Sequence, residues 1–480
     1  MEIRGNSHAA VIGAGTMGCG IAQVASAAGH NVIVIDSNRD ALDRGRATLS
    51  RSLAAMVKRG RIDEASAAAI EARVDWSPSL ADAAGSALAI EAIVERLDAK
   101  RALISALAGM MGDEAILASN TSSLSIAAIA AGQPVPERIV GLHFFNPVPA
   151  MKLVEVVAGP QTSADVVAAS LDLMRRWGKH AVTVRDVPGF IVNRVARPYY
   201  AEAFLALEEG LAPALIDGAL SLAGGFRMGP LTLADLIGHD INYAAASSVH
   251  HGMAPHVRFR PQAAQARLVD AQWLGRKSGR GVYDYAVPPP PLPLIRGEPA
   301  ASIAISPEAG GLAALASIAA ATVDPALPAG IMRIDGIRAG MGDGRPLADR
   351  EDVDIIIDHL LDPASAAAIC ANVRDERAAG AAAALAGSLG KDLLLSPDRP
   401  GQIALRTWAQ LANGAADAVM DGVADEPSID EAMLYGANYP MGPLHWARAQ
   451  GIAQVETILR NIAQATGDDI YLPSRGFAAL

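Results

Sequence analysis

Two sets of residues in the first third of the chain have the types and spacing to do chemistry. Gly13-Ala14-Gly15-Thr16-Met17-Gly18 is a G-x-G-x-x-G run. Such glycines let the backbone turn tightly and approach a pyrophosphate, and the N-terminus of the following helix offers it unpaired N–H groups. Asp36 follows about 20 residues on, where a carboxylate accepts hydrogen bonds from an adenosine ribose and repels a 2'-phosphate, so the set points to NAD over NADP. The second set is His143 and Glu155, with Asn146, Pro147 and Pro149 between them to make a turn. Oxidising a secondary alcohol requires loss of its hydroxyl proton, and a neutral imidazole is the side chain best matched to take it. A carboxylate on the other ring nitrogen would fix the tautomer and stabilise the imidazolium. Each set also has a plainer reading: a glycine-rich turn with a surface Asp, and a histidine satisfied in a core.

The elements that must position these residues can be read around them. Short apolar runs at Ala9 to Ile12, Asn31 to Ile35, Leu88 to Ala92, Ile116 to Ala118 and Ile139 to His143 alternate with helical periods, which predicts an α/β sheet with crossover helices. From Pro188 to about Tyr285 the pattern is helical, with breaks at Gly210, Pro213 and Gly224 to Pro230. Pro288 to Pro291 and Pro293 favour an extended spacer. Beyond it, Ala301 to Ile305, Asp354 to Ile357 and Leu393 to Leu395 read as strands among Ala-rich helices, and Gly311 to Val323 as a buried helix. Helical sequence resumes from Ile403.

An internal repeat organises the second half. Gly178-Lys179, a strand and Asp186-Val187-Pro188-Gly189 recur 212 residues later as Gly390-Lys391, a strand and Asp398-Arg399-Pro400-Gly401. Arg194 falls on Arg406, Gly210 on Gly422 and, after a one-residue insertion, Met228-Gly229-Pro230 on Met441-Gly442-Pro443. Asn193 meets Leu405 in this alignment, so the copies differ where chemistry would sit. No G-x-G-x-x-G follows a strand in the second half; Gly340 to Gly344 lacks the third glycine at the required step.

Several motifs together carry a resemblance: Glu91-Ala92-Ile93-Val94-Glu95, Ser119-Asn120-Thr121-Ser122-Ser123, His143-Phe144-Phe145-Asn146-Pro147, Met151 to Glu155 and Pro188 to Arg194. With the glycine run they closely resemble the 3-hydroxyacyl-CoA dehydrogenases, over about residues 7 to 285. The resemblance implies an α/β Rossmann domain over 1–186 and an all-α domain like the C-terminal domain of 6-phosphogluconate dehydrogenase over 187–286. A Pro-rich linker (287–299), a reduced Rossmann-like domain (300–396) that binds no NAD and a second helical copy (397–480) follow, as in two-tailed bacterial members. It implies His143 as base, Glu155 as its orienting partner, Ser122 and Asn193 on the reacting oxygen or thioester carbonyl, and Asn146 on substrate and nicotinamide. Ser122 and Asn146 would otherwise be turn residues and Asn193 a helix cap. Glu95 and Lys100 occupy the positions used near the nicotinamide ribose, although Arg96 stands where the family commonly has Asn. Ser52, Lys58 and Arg59 fall in the family's helical CoA-binding segment, or form only a solvated face. The implied reaction is NAD-dependent oxidation of a 3-hydroxyacyl-CoA, such as 3-hydroxyadipyl-CoA or 3-hydroxybutyryl-CoA, in fatty-acid metabolism or aromatic (phenylacetate) catabolism. Two other readings are a sugar-acid or hydroxy-acid dehydrogenase without CoA, and a non-catalytic NAD-binding protein.

Bulk properties narrow the field. Length suggests about three domains or more, and apolar residues at 51% with aromatics at only 4% predict helix-rich cores of Ala, Leu, Ile and Val. A charge of -11 opposes binding to nucleic acid or an anionic membrane. Only Cys19 and Cys370 are present, too few for a disulfide framework or a Cys-based zinc site, so a reducing cytoplasm is expected, and no metal. Met1 to Gly15 runs directly into strand pattern with no charged leader and apolar stretch, so no signal peptide is expected. Because the family pairs its helical domains between subunits, the two copies are expected to pair within the chain, with a homo-oligomer also possible.

Overall fold

The computed structural model describes residues 7–254, 256–288 and 291–480; the first residues read above for a leader, and Pro289 and Pro290 of the proline run, lie outside the described residues. The chain forms two compact units. One joins the chain up to Arg194 with Asp421–Asn438; the other joins Val195–Met420 with Tyr439–Leu480.

The first unit is built on strands β1 (His8–Ile12), β2 (Asn31–Ile35), β3 (Val74–Ser77), β4 (Leu88–Glu91), β5 (Ile116–Ser119), β6 (Ile139–Phe144), β7 (Leu153–Ala158) and β8 (His180–Arg185). Their order is β3-β2-β1-β4-β5-β6-β7-β8. All neighbours are parallel except β6 and β7. Apolar runs such as Ala9–Ile12 are buried on both faces, as strands covered by helices on each side must be. The chain order reverses beside β1, between β2 and β4, which is where open α/β sheets bind ligands. Sequence reading missed β3, because V-D-W-S is short and its Asp75 is exposed. The helix Glu426–Gly436, from the second helical copy, packs on β7 and β8 within this unit. Gly436 lies so close to Leu153 that a Cβ would come within 2.4 Å of its side chain. Tyr435 stacks on His180, with ring centroids 3.8 Å apart.

The second unit contains β9 (Ile303–Ile305), β10 (Thr322–Val323), β11 (Met332–Ile334), β12 (Ile337–Met341), β13 (Ile355–Ile357), β14 (Ala368–Val373) and β15 (Asp392–Leu395), in the order β10-β9-β11-β12-β13-β14-β15. The sheet is larger than the three expected strands. Gly311 to Val323 is not one buried helix: Ala313–Ile318 is helical, Ala320 takes a positive φ of 51° that ends it, and Val323 lies on an edge strand, 67% exposed. The helices Arg197–Glu208 and Ala404–Met420 pack together here, with Phe226 stacked on Trp408 at 4.9 Å and Tyr199 against Tyr439 at 5.6 Å.

The duplication is visible in the backbone. Positive φ angles at Gly178, Gly189, Phe190, Gly210, Gly225 and Gly238 recur at Gly390, Gly401, Gln402, Gly422, Asn438 and Gly451. The ion pairs recur as well: Arg194 meets Asp421 in the first unit, and Arg406 meets Glu209 in the second, each residue being the 212-shifted counterpart of one in the other pair.

Candidate active site

Each glycine of the Gly13–Gly18 run has its own physical reason. Gly13 has φ of 109°, and a Cβ there would meet Ala92 O at 2.6 Å; one at Gly18 would meet Gly13 O at 1.8 Å. Gly15 is different, since nothing lies within 4 Å of its Cβ position. It is also the cap of the Thr16–Ala27 helix and provides no side-chain hydrogen bond to the first-turn N–H groups. An open, uncapped helix start is what a pyrophosphate needs. Asp36 accepts from Ala14 N at 2.9 Å through Oδ2 and from Asn38 N at 2.9 Å through Oδ1, so the carboxylate is held against the glycine turn. These residues fit NAD. Gly18→Ala is expected to cost about 1–3 kcal/mol of stability by overpacking, read as a lower denaturation midpoint. Gly15→Ala should leave the midpoint unchanged and weaken NADH binding about tenfold, or ~1.4 kcal/mol, in a fluorescence titration.

His143 and Glu155 face each other across the antiparallel β6–β7 pair. Direct opposition puts two side chains on one face of the sheet, and His143 Nδ1 lies 2.6 Å from Glu155 Oε2. Glu155 is fully buried and His143 is 5% exposed. The second carboxylate oxygen, Oε1, accepts from Ile191 N at 3.0 Å and Val192 N at 2.9 Å, so one buried group fixes both the imidazole and the segment leading to Asn193. His143 Nε2 has no partner among the described residues and is not among the fully buried polar atoms, which leaves it open to a substrate. Phe145 and Phe190 flank the ring at 4.4 and 5.6 Å between centroids. Lys179 fastens the turn between the strands by donating to Val148 O and Met151 O.

A second network lies at the ends of β4 and β5. Lys100, 1% exposed, bonds both oxygens of Glu91 and reaches Glu95 at 3.2 Å. Glu95 Oε1 in turn accepts from Thr121 Oγ1 at 2.6 Å, Ser122 N at 3.0 Å and Ser123 N at 3.1 Å. Burial works to raise the Glu95 carboxyl, but Thr121, Lys100 and Ser123 outweigh it and hold it below the usual carboxylate range. Asn193 Nδ2 points to Ser122 O at 3.5 Å, and Asn120 Oδ1 accepts from Phe144 N at 2.9 Å. Lys100 thus stands behind Glu95 as its support. Sequence reading gave no role to Glu91, Thr121, Ser123 or Asn120; the four-residue spacing of Glu91 and Glu95 was the available signal. Asn146 precedes Pro147 on the turn after β6. Ser52 is half-buried on the helix Arg39–Lys58, and Lys58 and Arg59 at its end are exposed with no carboxylate partner among the described residues.

Residues 8–187 match the family described as 3-hydroxyacyl-CoA dehydrogenase, NAD binding domain, and residues 189–285 and 401–479 each match its C-terminal domain. The chain belongs to the 3-hydroxyacyl-CoA dehydrogenase family. It is an NAD-dependent oxidoreductase, and the double match identifies the repeat as two copies of the family's C-terminal domain. It is 40% identical to the 3-hydroxyadipyl-CoA dehydrogenase of Escherichia coli K12, over 97% of this chain and 95% of that one. A probable 3-hydroxybutyryl-CoA dehydrogenase of Deinococcus radiodurans is 41% identical over 57% of this chain and 99% of its own length. The crystal structure of a 3-hydroxybutyryl-CoA dehydrogenase from Escherichia coli K12 superposes with a TM-score of 0.88 at 37% identity, covering 99% of this chain and 98% of that one.

Within this family member the second sheet has no His/Glu pair. Cys370 pairs with Leu394 as Glu155 pairs with Val182, and Asp358 lies opposite Cys370 as His143 lies opposite Glu155. Asp358 accepts from the N–H groups of Ile403 and Ala404, the shifted counterparts of the two that Glu155 serves, and from that of Leu405 as well. In Gly340 to Gly344 a Cβ at Gly342 would strike Gln402 at 2.3 Å and one at Gly344 would strike Ile458 O at 2.4 Å. Neither position has the open space of Gly15. Among the described residues, no helix is long and apolar enough to cross a membrane.

Proposed function

We propose that the protein catalyses reversible oxidation of an (S)-3-hydroxyacyl-CoA to the 3-oxoacyl-CoA at one site per chain. The observation that carries this reading is the buried His143–Glu155 pair, whose imidazole keeps Nε2 free. Held along Gly13-Ala14-Gly15-Thr16-Met17-Gly18 and Asp36, NAD supplies the hydride acceptor. His143 Nε2 takes the hydroxyl proton as the C3–O bond becomes a carbonyl, and in the reverse direction returns it. Glu155 keeps the proton on Nδ1 and stabilises the imidazolium. Ser122 and Asn193 donate to the reacting oxygen or the thioester carbonyl, and Asn146 orients the substrate beside the nicotinamide. Glu95 faces the nicotinamide ribose, with Lys100 as its positioning residue. Ser52, Lys58 and Arg59 contact the CoA moiety.

The named activities of the relatives support 3-hydroxyadipyl-CoA and 3-hydroxybutyryl-CoA as the substrates to try first. The second helical copy serves as a built-in partner for the first, as the packing of Arg197–Glu208 on Ala404–Met420 supports. The five-segment domain division given above, a cytoplasmic location and the absence of NAD from the second half belong to the same proposal.

A panel of CoA thioesters and free hydroxy acids, followed by NADH absorbance, tests the reading. NADH formation with the thioesters alone is expected; comparable turnover of free hydroxy acids would overturn the CoA assignment. The Lys58→Ala/Arg59→Ala double variant is expected to raise KM for the thioester about tenfold at low salt with kcat unchanged. The difference should shrink as salt is added.

A further inference from the structure

The described residues include six buried arginines. Arg194, Arg350, Arg399 and Arg406 each meet a carboxylate, and Arg138 donates to two backbone carbonyls, Gly112 O and Ala115 O. Arg197, in the second unit, is the exception. It is 7% exposed, its Nη1 reaches Asn242 O only at 3.4 Å, and its Nε has no partner. Burial, with no carboxylate to offset it, holds the guanidinium below its usual range. Arg197 also opens the helix Arg197–Glu208, which has no side-chain cap, so the positive end of the dipole works against its charge. The Tyr200 ring, 5.2 Å from Cζ, offsets only part of this, since a π face is a weaker partner than an anion. An arginine left this way implies that an anion arrives from outside.

Arg197 lines a cleft of about 300 Å³, open to solvent, that lies wholly within the second unit. Arg258 and Arg260 line it too, and among the described residues no carboxylate does, although acids outnumber bases in the chain by 51 to 40. Arg258 is committed to Asp417 at 2.8 Å, whereas Arg260 is exposed. The wall is apolar at Tyr200, Phe204, Ala246 and Phe259, and Asn242 and Gln265 fix one another in it through a 3.0 Å hydrogen bond between their amides. An adjoining cleft shares Arg258 and Arg260 but is lined by Glu202 and Asp468 as well, so it repels what the first attracts. We propose that the Arg197 cleft binds a short-chain carboxylate, its oxygens on the Arg197 guanidinium and its hydrocarbon chain against Tyr200, Phe204 and Phe259. A planar fork matches a carboxylate bidentately, the apolar wall favours a hydrocarbon body over a bare phosphate, and a cleft of this size holds a few carbons, not CoA. The site stands apart from the oxidation proposed above, because the cleft shares no residue with the catalytic set or the cofactor site.

The test titrates the full-length protein with butyrate, its neutral isostere butyramide and inorganic phosphate at constant ionic strength, followed by saturation-transfer NMR. The wild type is expected to bind butyrate at least about tenfold tighter than butyramide, as a charge-assisted hydrogen bond requires, and tighter than phosphate. Arg197→Met should weaken butyrate at least about tenfold and leave butyramide and NADH affinities within about twofold of wild type, the NADH value showing that the variant is folded. Arg197→Lys keeps the charge and loses the fork, so its affinity for butyrate should be intermediate. Arg260→Ala should weaken butyrate only about two- to threefold, and less as salt is added. Equal affinities for butyrate and butyramide in the wild type would overturn the proposal, and so would phosphate binding tighter than butyrate. Butyrate binding that survives Arg197→Met, or that is lost in His143→Gln instead, would place the acid elsewhere and overturn it as well. If Arg197→Met fails to fold, an Arg197→Lys variant with the full wild-type affinity for butyrate overturns it equally.

Discussion

Replacing His143 with Gln is expected to lower kcat by about 10²–10⁴, the usual worth of a positioned general base, while the affinity for NADH stays within about twofold of wild type. The separation follows from the layout. The glycine turn and Asp36 hold one another through Ala14 N, whereas His143 is anchored to Glu155 across β6 and β7. Gln fits the strand and can still bond Glu155, but it has no atom that accepts a proton near neutral pH. Single-turnover NADH formation measures the first effect and fluorescence titration the second. Near-normal turnover would remove His143 from the reaction.

Glu155→Gln should be nearly as damaging for a different reason. Ile191 N and Val192 N both donate to Oε1, so the amide oxygen of a Gln must stay there and its NH2 must face His143 Nδ1. That arrangement makes Nδ1 an acceptor and places the ring proton on Nε2, the atom that has to receive the substrate proton. The loss of an orienting carboxylate in this way costs about 10⁴ in kcat in the serine-protease triad, and a loss of that order is expected here with the fold retained. The 15N shifts of His143 would report the tautomer directly. Combined with His143→Gln, the second substitution should add little, because the two residues act as one unit. Additive losses would mean that Glu155 works apart from the imidazole.

Local chemistry made much of the site readable from sequence. The glycine run announces a turn, Asp36 ends the next strand, and the five strands read in the first sheet lie within a residue or so of those observed. What sequence could not convey was register. Whether His143 and Glu155 meet depends on a pairing offset between β6 and β7, and one residue of slip would send one of the two side chains to the other face. The Lys100–Glu91 pair was hidden for a related reason: a buried cation is recognised only once its carboxylates are seen around it. Thr121 and Ser123 were quoted within a motif, yet their convergence on Glu95 arises from the folding of the Ser119–Ser123 turn. In the second half, Asp358 and Cys370 occupy the places of the pair with no sequence similarity to it, so only strand pairing identifies them.

The helix Glu426–Gly436 lies on β7 and β8 of the first unit, although it is encoded more than 240 residues after β8. During translation the nascent first sheet would therefore emerge with that face bare and wait until nearly the whole chain had left the ribosome. At about 5–20 residues per second the wait lasts on the order of 10–50 s. Such a late closure makes this sheet a natural client for a chaperone, and it makes a stop codon placed after Tyr285 a lesion of the catalytic half as well as of the duplicated one.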